Sequence, residues 1–359
     1  MPSVLDLRRR IRSVKNTRQI TKAMKLVSAA KLRRAQERAI AARPYARMIA
    51  SVIQSLARRV DLFDPETGEL RHPLLLSRPE KTVALIVVSG DKGFAGAFNG
   101  NITKAAFRFI ASKGQEPIDI EAIGRKGRDL FVRRYGAPVS TAPKDDQEGA
   151  EEQAVQPRQR RAPIEVTGEY PGMLDKLSFD RVAELGGKIV DSYIREEIDA
   201  AYIVYNEFKS VIAQRVVVEK ILPIIEVGRA DVEQTQEMNL EERERAAKAA
   251  LSSGVTLKEP ESQDNAEADK FGTAQVDYIY EQPPHQLLDG LLRQYITTQL
   301  YHAMTESVAA EHAARMTAMD SATNNASDLI DSLTLTMNRV RQAAITKEII
   351  EIVSGAAAL

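Results

Sequence analysis

Residues 316–344 read MTAMDSATNNASDLIDSLTLTMNRVRQAA and carry the clearest structural pattern in the chain. Apolar and small side chains recur there at alternating steps of three and four residues: Met316, Met319, Thr323, Ala326, Ile330, Leu333, Met337, Val340 and Ala344. A repeat of this kind sustained over several heptads is typical of a coiled coil. The mixture of Met, Thr and Ala predicts a close but imperfect seam, and its length predicts a very long C-terminal helix.

The N-terminal end provides a matching helix. Residues 5–56 contain no Gly and one Pro, Pro44, which predicts a helix that is kinked or interrupted at that residue. Apolar residues recur at helical spacing, first at Leu7, Ile11 and Val14 and then at Ile20, Met24 and Val27. At 1.5 Å per residue such a helix is roughly 80 Å long. We therefore predict a long antiparallel coiled coil formed by residues 1–60 and 285–359.

The middle of the chain has a different pattern. Thr82–Ser89 is a continuous apolar run rich in β-branched residues, as expected for a strand buried on both faces. Further strands are predicted at Ile118–Ile123, Ala201–Asn206 and Val211–Ile225, and helices at Asn101–Lys113, Lys126–Tyr135 and Phe179–Ile198. Because strands and helices alternate, residues 80–227 are predicted to form a Rossmann-like α/β domain with a mostly parallel sheet. The predicted fold class is α/β plus coiled coil.

Two segments interrupt this alternation. Residues 143–163 are rich in Pro, Gln, Gly and charge, which predicts a mobile loop. Residues 228–272 hold six basic and eleven acidic residues, a net charge of −5. Within them, residues 239–251 have the composition of a short charged helix capped by Asn239. Both segments are interpreted as surface insertions, and residues 273–284 as the return to the α/β domain.

Charge is distributed very unevenly along the chain. The whole chain has a net charge of zero, but residues 1–59 contain sixteen Lys or Arg and two acids, a net charge of +14. Such a segment favours an acidic protein surface or a phosphate backbone as its partner. A basic coiled coil that binds nucleic acid is therefore the alternative. Tyr45 is the only aromatic residue among the first 60, so no base-stacking surface accompanies the charge.

The glycine-rich turn SGDKGFAGAFNG, residues 89–100, invites a nucleotide-binding interpretation. Its spacing matches neither G-x-x-x-x-G-K-[ST] nor G-x-G-x-x-G, so a structural turn is favoured over a nucleotide site. The four His are dispersed, at positions 72, 285, 302 and 312, and no Cys is present, which argues against a metal site and excludes thiol chemistry. We predict no catalytic residue, no cofactor and no metal, and hence a protein that is not an enzyme.

The sequence also constrains location. No apolar run approaches the roughly 20 residues that a membrane span requires. The charged opening MPSVLDLRRR is not followed by the apolar segment of a secretory signal. We expect a protein on the cytosolic side that reaches a membrane only through its partners.

Both ends of the chain resemble the gamma subunit of F-type ATP synthases, in its bacterial form. NTRQITKAMKLVSAAKLRRAQ, residues 16–36, resembles the N-terminal signature of that family. SVAAEHAARMTAMDSATNNASDLI and NRVRQAAITKEIIEIVSGAAAL, within residues 307–359, resemble its C-terminal signature. YNEFKSVIAQ, VDYIYEQPPHQLL and the glycine-rich turn are similar to family segments as well. The resemblance covers about the whole chain apart from the two insertions.

The resemblance implies the central rotor stalk of a proton-translocating ATP synthase. The coiled coil would stand, one copy per complex, inside a hexameric head of alpha and beta subunits. The α/β domain would form a foot on the membrane c-ring, beside the epsilon subunit, at the cytoplasmic face of the bacterial inner membrane. Rotation of an asymmetric shaft would favour different conformations of the catalytic sites in turn. Nucleotide and catalytic residues would then belong to neighbouring subunits.

Residue roles follow from the same resemblance. Met24 matches the position where the shaft passes an acidic lever of a beta subunit, although it is also compatible with an ordinary coiled-coil position. The complementary charge would come from Lys22, Lys25, Arg33 and Arg34. Contacts with the catch loops of the head are implied for Arg341, Gln342 and Thr346. Contacts with the c-ring or epsilon are implied for Tyr278 and Glu281.

The chain departs from the family pattern in two ways. Photosynthetic members carry an added segment with a cysteine pair that acts as a redox switch, and the absence of Cys excludes that regulation here. Residues 143–163 and 228–272 both exceed the compact bacterial pattern. We hypothesise that the acidic segment 228–272 lies on the foot and restrains rotation or meets the epsilon subunit.

Overall fold

A computed structural model describes residues 3–57, 72–136, 160, 162–225, 227, 231–255, 281 and 283–357 of the chain. The helices are α1 (Val4–Ala57), α2 (Phe98–Ser112), α3 (Arg125–Tyr135), α4 (Phe179–Ile194), α5 (Leu240–Leu251) and α6 (Pro284–Ala357). The strands are β1 (Val83–Val88), β2 (Ile118–Ile123), β3 (Ile164–Tyr170), β4 (Ala200–Ser210), β5 (Ala213–Leu222) and β6 (Asp231–Glu237).

The two terminal helices form an antiparallel coiled coil, as predicted. Helix α1 has 54 residues and α6 has 74, or roughly 80 and 110 Å at 1.5 Å per residue. Thr323 Oγ1 donates a hydrogen bond of 2.8 Å to Thr21 Oγ1, and Lys25 Nζ lies 2.8 Å from Asp320 Oδ1. The residue numbers of these pairs sum to 344 or 345, so Val4 falls opposite residue 340 or 341. The part of α6 after residue 341 therefore extends beyond the end of α1.

Helix α1 continues through Pro44, so the predicted interruption is wrong. Ala39 and Ile49 are both buried, on either side of the proline. Packing on both sides stabilises helical geometry enough to outweigh the loss of one backbone donor, since most helical stability in proteins comes from tertiary contacts.

The heptad pattern of α6 marks the packed face along most of its length. Met316, Met319, Ala326 and Ile330 are buried, and the later positions through Val340 are half-buried. Ala344 is exposed, because the register places it past the first residue of α1.

The packed face of α1 differs from the apolar spacing noted in its sequence. Its buried residues follow the heptad steps from Leu7 and Ile11 onward and include Thr21, Lys25, Ser28, Leu32, Ala35 and Ala39. Ile20 and Val27 lie outside this face and are 60% and 56% exposed. We call residues 18–28 of α1 the neck. In the neck the seam contains polar residues, while an apolar stripe faces outward.

A six-stranded mixed sheet forms the α/β domain, in the order β3-β2-β1-β4-β5-β6. Strands β3, β2, β1 and β4 are parallel, which confirms the Rossmann-like prediction for this half. Strand β5 is antiparallel to β4, because the tight turn between them leaves no room for a crossover helix, and β6 is antiparallel to β5. Three of the five strand pairs are parallel, so the prediction of a mostly parallel sheet is confirmed.

Both faces of the sheet are buried, and each face belongs to a separate core. Alternate residues of β1 enter different clusters: Val83, Leu85 and Val87 in one, and Ala84, Ile86 and Val88 in the other. The first cluster includes α2, α3, α5 and the middle of the coiled coil. The second includes α4 and the ends of α1 and α6 that lie against the domain. The coiled coil is thus continuous with the core of the α/β domain.

Part of the predicted acidic insertion is an integral part of the domain. Strand β6 extends the sheet through its pairing with β5, and α5 buries Ala246, Ala249 and Ala250 against the first core. Asn239 caps α5 as predicted, with a reciprocal bond between Asn239 and Glu242. The interpretation as a surface insertion is wrong for these two elements, because β6 is paired into the sheet and the alanines of α5 are buried in the core. Residues 143–159 and 256–272 lie outside the described residues.

No helix within the described ranges is long and apolar enough to cross a membrane.

Candidate functional site

The loop after β1 lies where a Rossmann-like sheet binds nucleotides, at the carboxyl ends of its parallel strands. In this chain Asp91 occupies that position. Asp91 Oδ1 accepts hydrogen bonds from the backbone N–H of Arg125, at 3.1 Å, and of Gly172, at 2.7 Å. Arg125 is the first residue of α3, so a carboxylate of the protein itself lies where a phosphate would meet the helix dipole. This arrangement favours the structural interpretation of the glycine-rich turn.

The turn between β2 and α3 closes against the same loop. The Ser89 hydroxyl donates to the carbonyl oxygen of Ile123, at 2.8 Å, and accepts from the N–H of Gly127, at 2.7 Å. A Cβ atom added to Gly124 would lie only 1.9 Å from the carbonyl oxygen of Ser89. The two loops are therefore in contact through their backbones and leave no space for a ligand between them.

Helix α6 packs against the remaining side of the loop. Arg315 Nε donates to the carbonyl oxygen of Gly93 at 3.3 Å, and its guanidinium also pairs with Glu311. A Cβ atom on Gly90 would lie 2.8 Å from Glu311 Oε1. Burial raises the pKa of Glu311, and Arg315 opposes that shift. The loop thus joins the α/β domain to the coiled coil.

A basic groove flanks this joint on the side of α1. Its volume is about 210 Å³. Lys31, Arg34 and Arg38 line it from α1, and Asp175 and His312 line it from the opposite side. Burial, together with the charges of Arg315 and Lys31, lowers the pKa of His312 to about 4. His312 is therefore neutral near pH 7, and the three cations of α1 share the groove with two carboxylates, those of Asp175 and Glu311.

Lys25 is held within the chain. Its Nζ lies 2.8 Å from Asp320 Oδ1 on α6 and donates to Ser252 Oγ, just after α5, at 2.7 Å. The side chains of Lys25 and Asp320 are only 11% and 13% exposed. Lys25 thus faces the seam, in contrast to an exposed cation that could meet another subunit.

The other residues predicted near Met24 face outward. Met24 is half-buried, and Lys22, Arg33 and Arg34 are exposed. Arg33 lies 3.3 Å from Glu37 in an i,i+4 pair that is open to solvent. The structure therefore places three of the four predicted cations on the surface of α1, and their contacts with a partner stay a prediction.

The predicted catch-loop residues lie together near the tip of α6. Arg341, Gln342 and Thr346 are exposed, and the Thr346 hydroxyl donates to the carbonyl oxygen of Gln342 at 3.0 Å. Gln342 and Thr346 lie in the part of the helix that extends past α1, and Arg341 lies at its start, level with the first residues of α1. Of the predicted foot residues, Glu281 is exposed and Tyr278 lies outside the described residues.

The described residues contain no group of three or more His, Asp or Glu side chains arranged to hold a metal ion. His302 lies 3.3 Å from Glu306, and His72 lies 3.4 Å from Asp289. These are pairs of one imidazole and one carboxylate. The absence of a metal and of a cofactor stays a prediction.

Sequence reasoning missed the two networks that attach the domain to the coiled coil. Lys25 could have been recognised by continuing the steps of three and four from Leu7 and Ile11, which reach Thr21, Lys25 and Leu32. No comparable signal marks Arg315, because its partner is a backbone carbonyl in a distant loop.

Comparison with known proteins gives matches along the full chain. The ATP synthase family model matches residues 3–359. The ATP synthase gamma chain of Solibacter usitatus is 44% identical over 358 residues, covering 100% of this chain and 99% of that one. The ATP synthase gamma chain of Geobacter metallireducens is 38% identical over 358 residues, covering 99% and 98%. These relatives therefore align across both predicted insertions.

The fold has a counterpart among solved structures. A chain in the mitochondrial ATP synthase structure of Euglena gracilis, which contains OSCP, F1 and the c-ring, matches with a TM-score of 0.52. The match has 16% identity and covers 99% of this chain and 94% of that one, so it shows the fold alone. The family model and the full-length relatives show more: the chain belongs to the ATP synthase gamma chains, the non-catalytic rotary subunits of the central stalk.

Proposed function

We propose that the chain acts as one copy per complex, with its coiled coil inside a ring of alpha and beta subunits. The α/β domain rests on the c-ring beside the epsilon subunit, at the cytoplasmic face of the inner membrane. Two features support a surrounding ring of other, more acidic subunits. One is the long exposed part of α6, and the other is the charge of +14 on residues 1–59.

The observation that carries this proposal is the inverted arrangement of the neck. Thr21, Lys25 and Ser28 are buried in the seam, whereas Ile20 and Val27 are 60% and 56% exposed. A free coiled coil gains stability from the opposite arrangement, because buried apolar area is stabilising. An outward apolar stripe is expected where a partner covers the helix.

The charges around this stripe identify the partner's chemistry. Lys22, Arg33 and Arg34 are exposed on α1, and Lys31 and Arg38 line the adjacent groove. A partner that combines apolar side chains with carboxylates fits this surface. We assign that role to an acidic segment of the beta subunit that passes Met24. Lys25 is excluded from this contact because it is buried against Asp320.

The tip of α6 has a second surface for the head. Arg341, Gln342 and Thr346 offer polar groups there, and Ile345 and Ile349 are 50% and 55% exposed. This part of α6 has polar and apolar side chains around its circumference and no partner helix among the described residues. Such a surface is compatible with a ring of other subunits that surrounds the helix. We propose that the three polar residues bind the catch loops of the head.

The opposite end of the protein meets the membrane part of the complex. Glu281 is exposed immediately before α6. We propose that Glu281 and Tyr278 contact the c-ring or the epsilon subunit. Exchange of Glu281 for Gln should lower the yield of intact complex recovered with the c-ring, while the chain remains bound to alpha and beta.

The contact at Met24 can be tested in membrane vesicles that contain the assembled complex. Exchange of Met24 for Lys adds a cation beside the acidic segment and strengthens a contact that must break in every turn. We expect ATP hydrolysis to continue while proton pumping per ATP falls several-fold. Met48, which is 63% exposed farther along α1, provides the matched control.

Met48→Lys adds the same charge away from the neck and should leave the coupling ratio unchanged. Normal pumping by Met24→Lys would contradict the proposed contact. Equal losses in both variants would point to a general effect of charge on α1.

The composition of the complex tests the remaining assignments. Affinity purification through this chain should recover one copy together with six larger nucleotide-binding subunits. Salt-dependent recovery of nucleic acid in their place would favour the alternative of a nucleic-acid-binding coiled coil.

A further inference from the structure

We propose that Lys25 is a positioning residue that fastens helix α5 to the coiled coil, and that β6 and α5 act as a brace between the sheet and the shaft. The proposal depends on the fold alone and needs none of the proposed contacts with other subunits.

Three separate elements meet at the Lys25 ammonium. Lys25 belongs to α1, Asp320 belongs to α6, and Ser252 follows α5 directly. The ammonium lies 2.8 Å from Asp320 Oδ1 and 2.7 Å from Ser252 Oγ, and Ser252 Oγ lies 3.4 Å from Asp320 Oδ1. The three groups form a closed triangle in which every side is within hydrogen-bond reach.

Because the triangle is buried, it can fix the alignment of the helices that form it. Lys25 is only 9% exposed, in a seam position that a coiled coil normally fills with an apolar side chain. A buried ammonium is costly unless it is paired and hydrogen-bonded. A shift of α1 along α6 by one helical turn would separate Lys25 from Asp320. The pair therefore fixes the register of the two helices, in the way that a polar seam residue does in other coiled coils.

Helix α5 itself contacts the core through small apolar side chains, with Met238 before it and Val255 after it partly buried against the same cluster. Its inward residues Ala246, Ala249 and Ala250 are buried, and the helix carries its own capping box at Asn239. Alanine contacts bury little area, so a hydrogen bond from a charged donor at the end of α5 contributes a large share of the attachment. Lys25 thus decides whether the C-terminal end of α5 stays on the coil.

The path from Lys25 continues into the sheet. Strand β6 pairs with β5 along Asp231–Glu237 and leads through two residues into α5. The sheet is also joined to α6 by Arg315 and the loop after β1. Both cores of the domain also pack against the coiled coil. The brace adds a polar attachment at the far edge of the sheet, where β6 and α5 would otherwise be joined to the rest of the protein mainly by strand pairing and small apolar contacts.

Hydrogen exchange of the assembled ATP synthase complex tests the proposal. Lys25→Met keeps the length of the side chain and removes its charge. We expect the amide hydrogens of residues 246–255 to exchange at least ten-fold faster, since opening of the end of α5 becomes easier. Lys15→Met is the matched control, because Lys15 is exposed on the same helix, belongs to no proposed contact, and its removal should leave this exchange unchanged.

Two further variants distinguish loss of the attachment of α5 from a general loss of stability. Ser252→Ala leaves the Lys25–Asp320 pair in place and should accelerate exchange in α5 but not in the neck. The double exchange Lys25→Asp and Asp320→Lys restores an ion pair across the seam and should recover most of the protection in the neck. Unchanged exchange of α5 in both Lys25→Met and Ser252→Ala would overturn the proposal. Should Lys25→Met fail to assemble, Ser252→Ala still decides the outcome.

Discussion

Gly124 provides the most direct test of the closed crevice beside β1. Its backbone angles are φ 83° and ψ 148°, a region that is essentially restricted to glycine. Gly136, at the other end of α3, has nearly the same conformation, with φ 92° and ψ 162°. A Cβ atom on Gly136 meets nothing within 4 Å, whereas on Gly124 it would lie 1.9 Å from the carbonyl oxygen of Ser89. The two glycines therefore differ in packing and share the same backbone strain.

The expected magnitudes follow from this comparison. Alanine in this backbone region costs about 1–3 kcal/mol at either site. Overpacking at Gly124 adds roughly 1–3 kcal/mol, because the contact is with backbone that cannot rotate away. Gly124→Ala should therefore lower the free energy of unfolding by about 2 kcal/mol more than Gly136→Ala does.

Urea unfolding of the full chain can measure this difference. The chain contains ten Tyr and no Trp, so tyrosine fluorescence or near-ultraviolet circular dichroism reports unfolding of the α/β domain together with the helices packed against it. The midpoints should differ at an unchanged slope, which identifies a change in stability. Equal free energies of unfolding for the two variants, within about 0.5 kcal/mol, would refute the conclusion that the two loops are in backbone contact.

Three further predictions concern charge and exposure. Burial raises the pKa of Glu80, but hydrogen bonds from Lys113, Lys220 and Tyr202 outweigh it and lower the pKa to about 2. Its stabilisation is therefore complete above pH 4.5 and lost toward pH 2, and Glu80→Gln should lower the free energy of unfolding at pH 7 by about 1–2 kcal/mol after solvent screening. The pKa of His312 falls from 6.5 to about 4, so the folded state should lose roughly 2–3 kcal/mol between pH 6.5 and pH 4, and His312→Gln should flatten that part of a urea-midpoint profile against pH. Ile349→Ser should change the free energy of unfolding of the free chain by less than about 0.5 kcal/mol, since Ile349 is 55% exposed.

The buried strands could be predicted from the sequence because their composition is unambiguous. VALIVV in β1 is apolar throughout, and all six residues are buried. Strand β6 reads DVEQTQE and has mostly exposed residues, so nothing local distinguishes it from a loop. Its strand conformation comes from pairing with β5, a contact that only the folded sheet reveals.

Lys25 shows a different limit of sequence reasoning. The charge of Lys25 predicts a position on the surface. The nearby apolar residues Met24 and Val27 would then be expected to form the face of α1 that packs against α6. The heptad steps that start at Leu7 instead place Lys25 in the seam and Val27 outside it, as observed. The steps are correct because the register of a coiled coil is set over its whole length. Local hydrophobicity failed in the neck, where packing within the chain and the proposed contact with a partner favour different residues.

The inverted neck is best explained by two demands on the same few turns of helix. A shaft that carries torque needs a fixed register between α1 and α6, and polar pairs such as Lys25 with Asp320 and Thr21 with Thr323 provide it. A shaft inside a sleeve also needs an outer surface that other subunits can grip and release. Burying a residue such as Val27 would stabilise the free chain by about 1.5–3 kcal/mol. The chain forgoes that stabilisation, and such a local conflict with packing rules is expected where function requires it. If the proposed contact with the beta subunit holds, the neck is where the gamma chain gives up stability of its own for a surface that its partners contact.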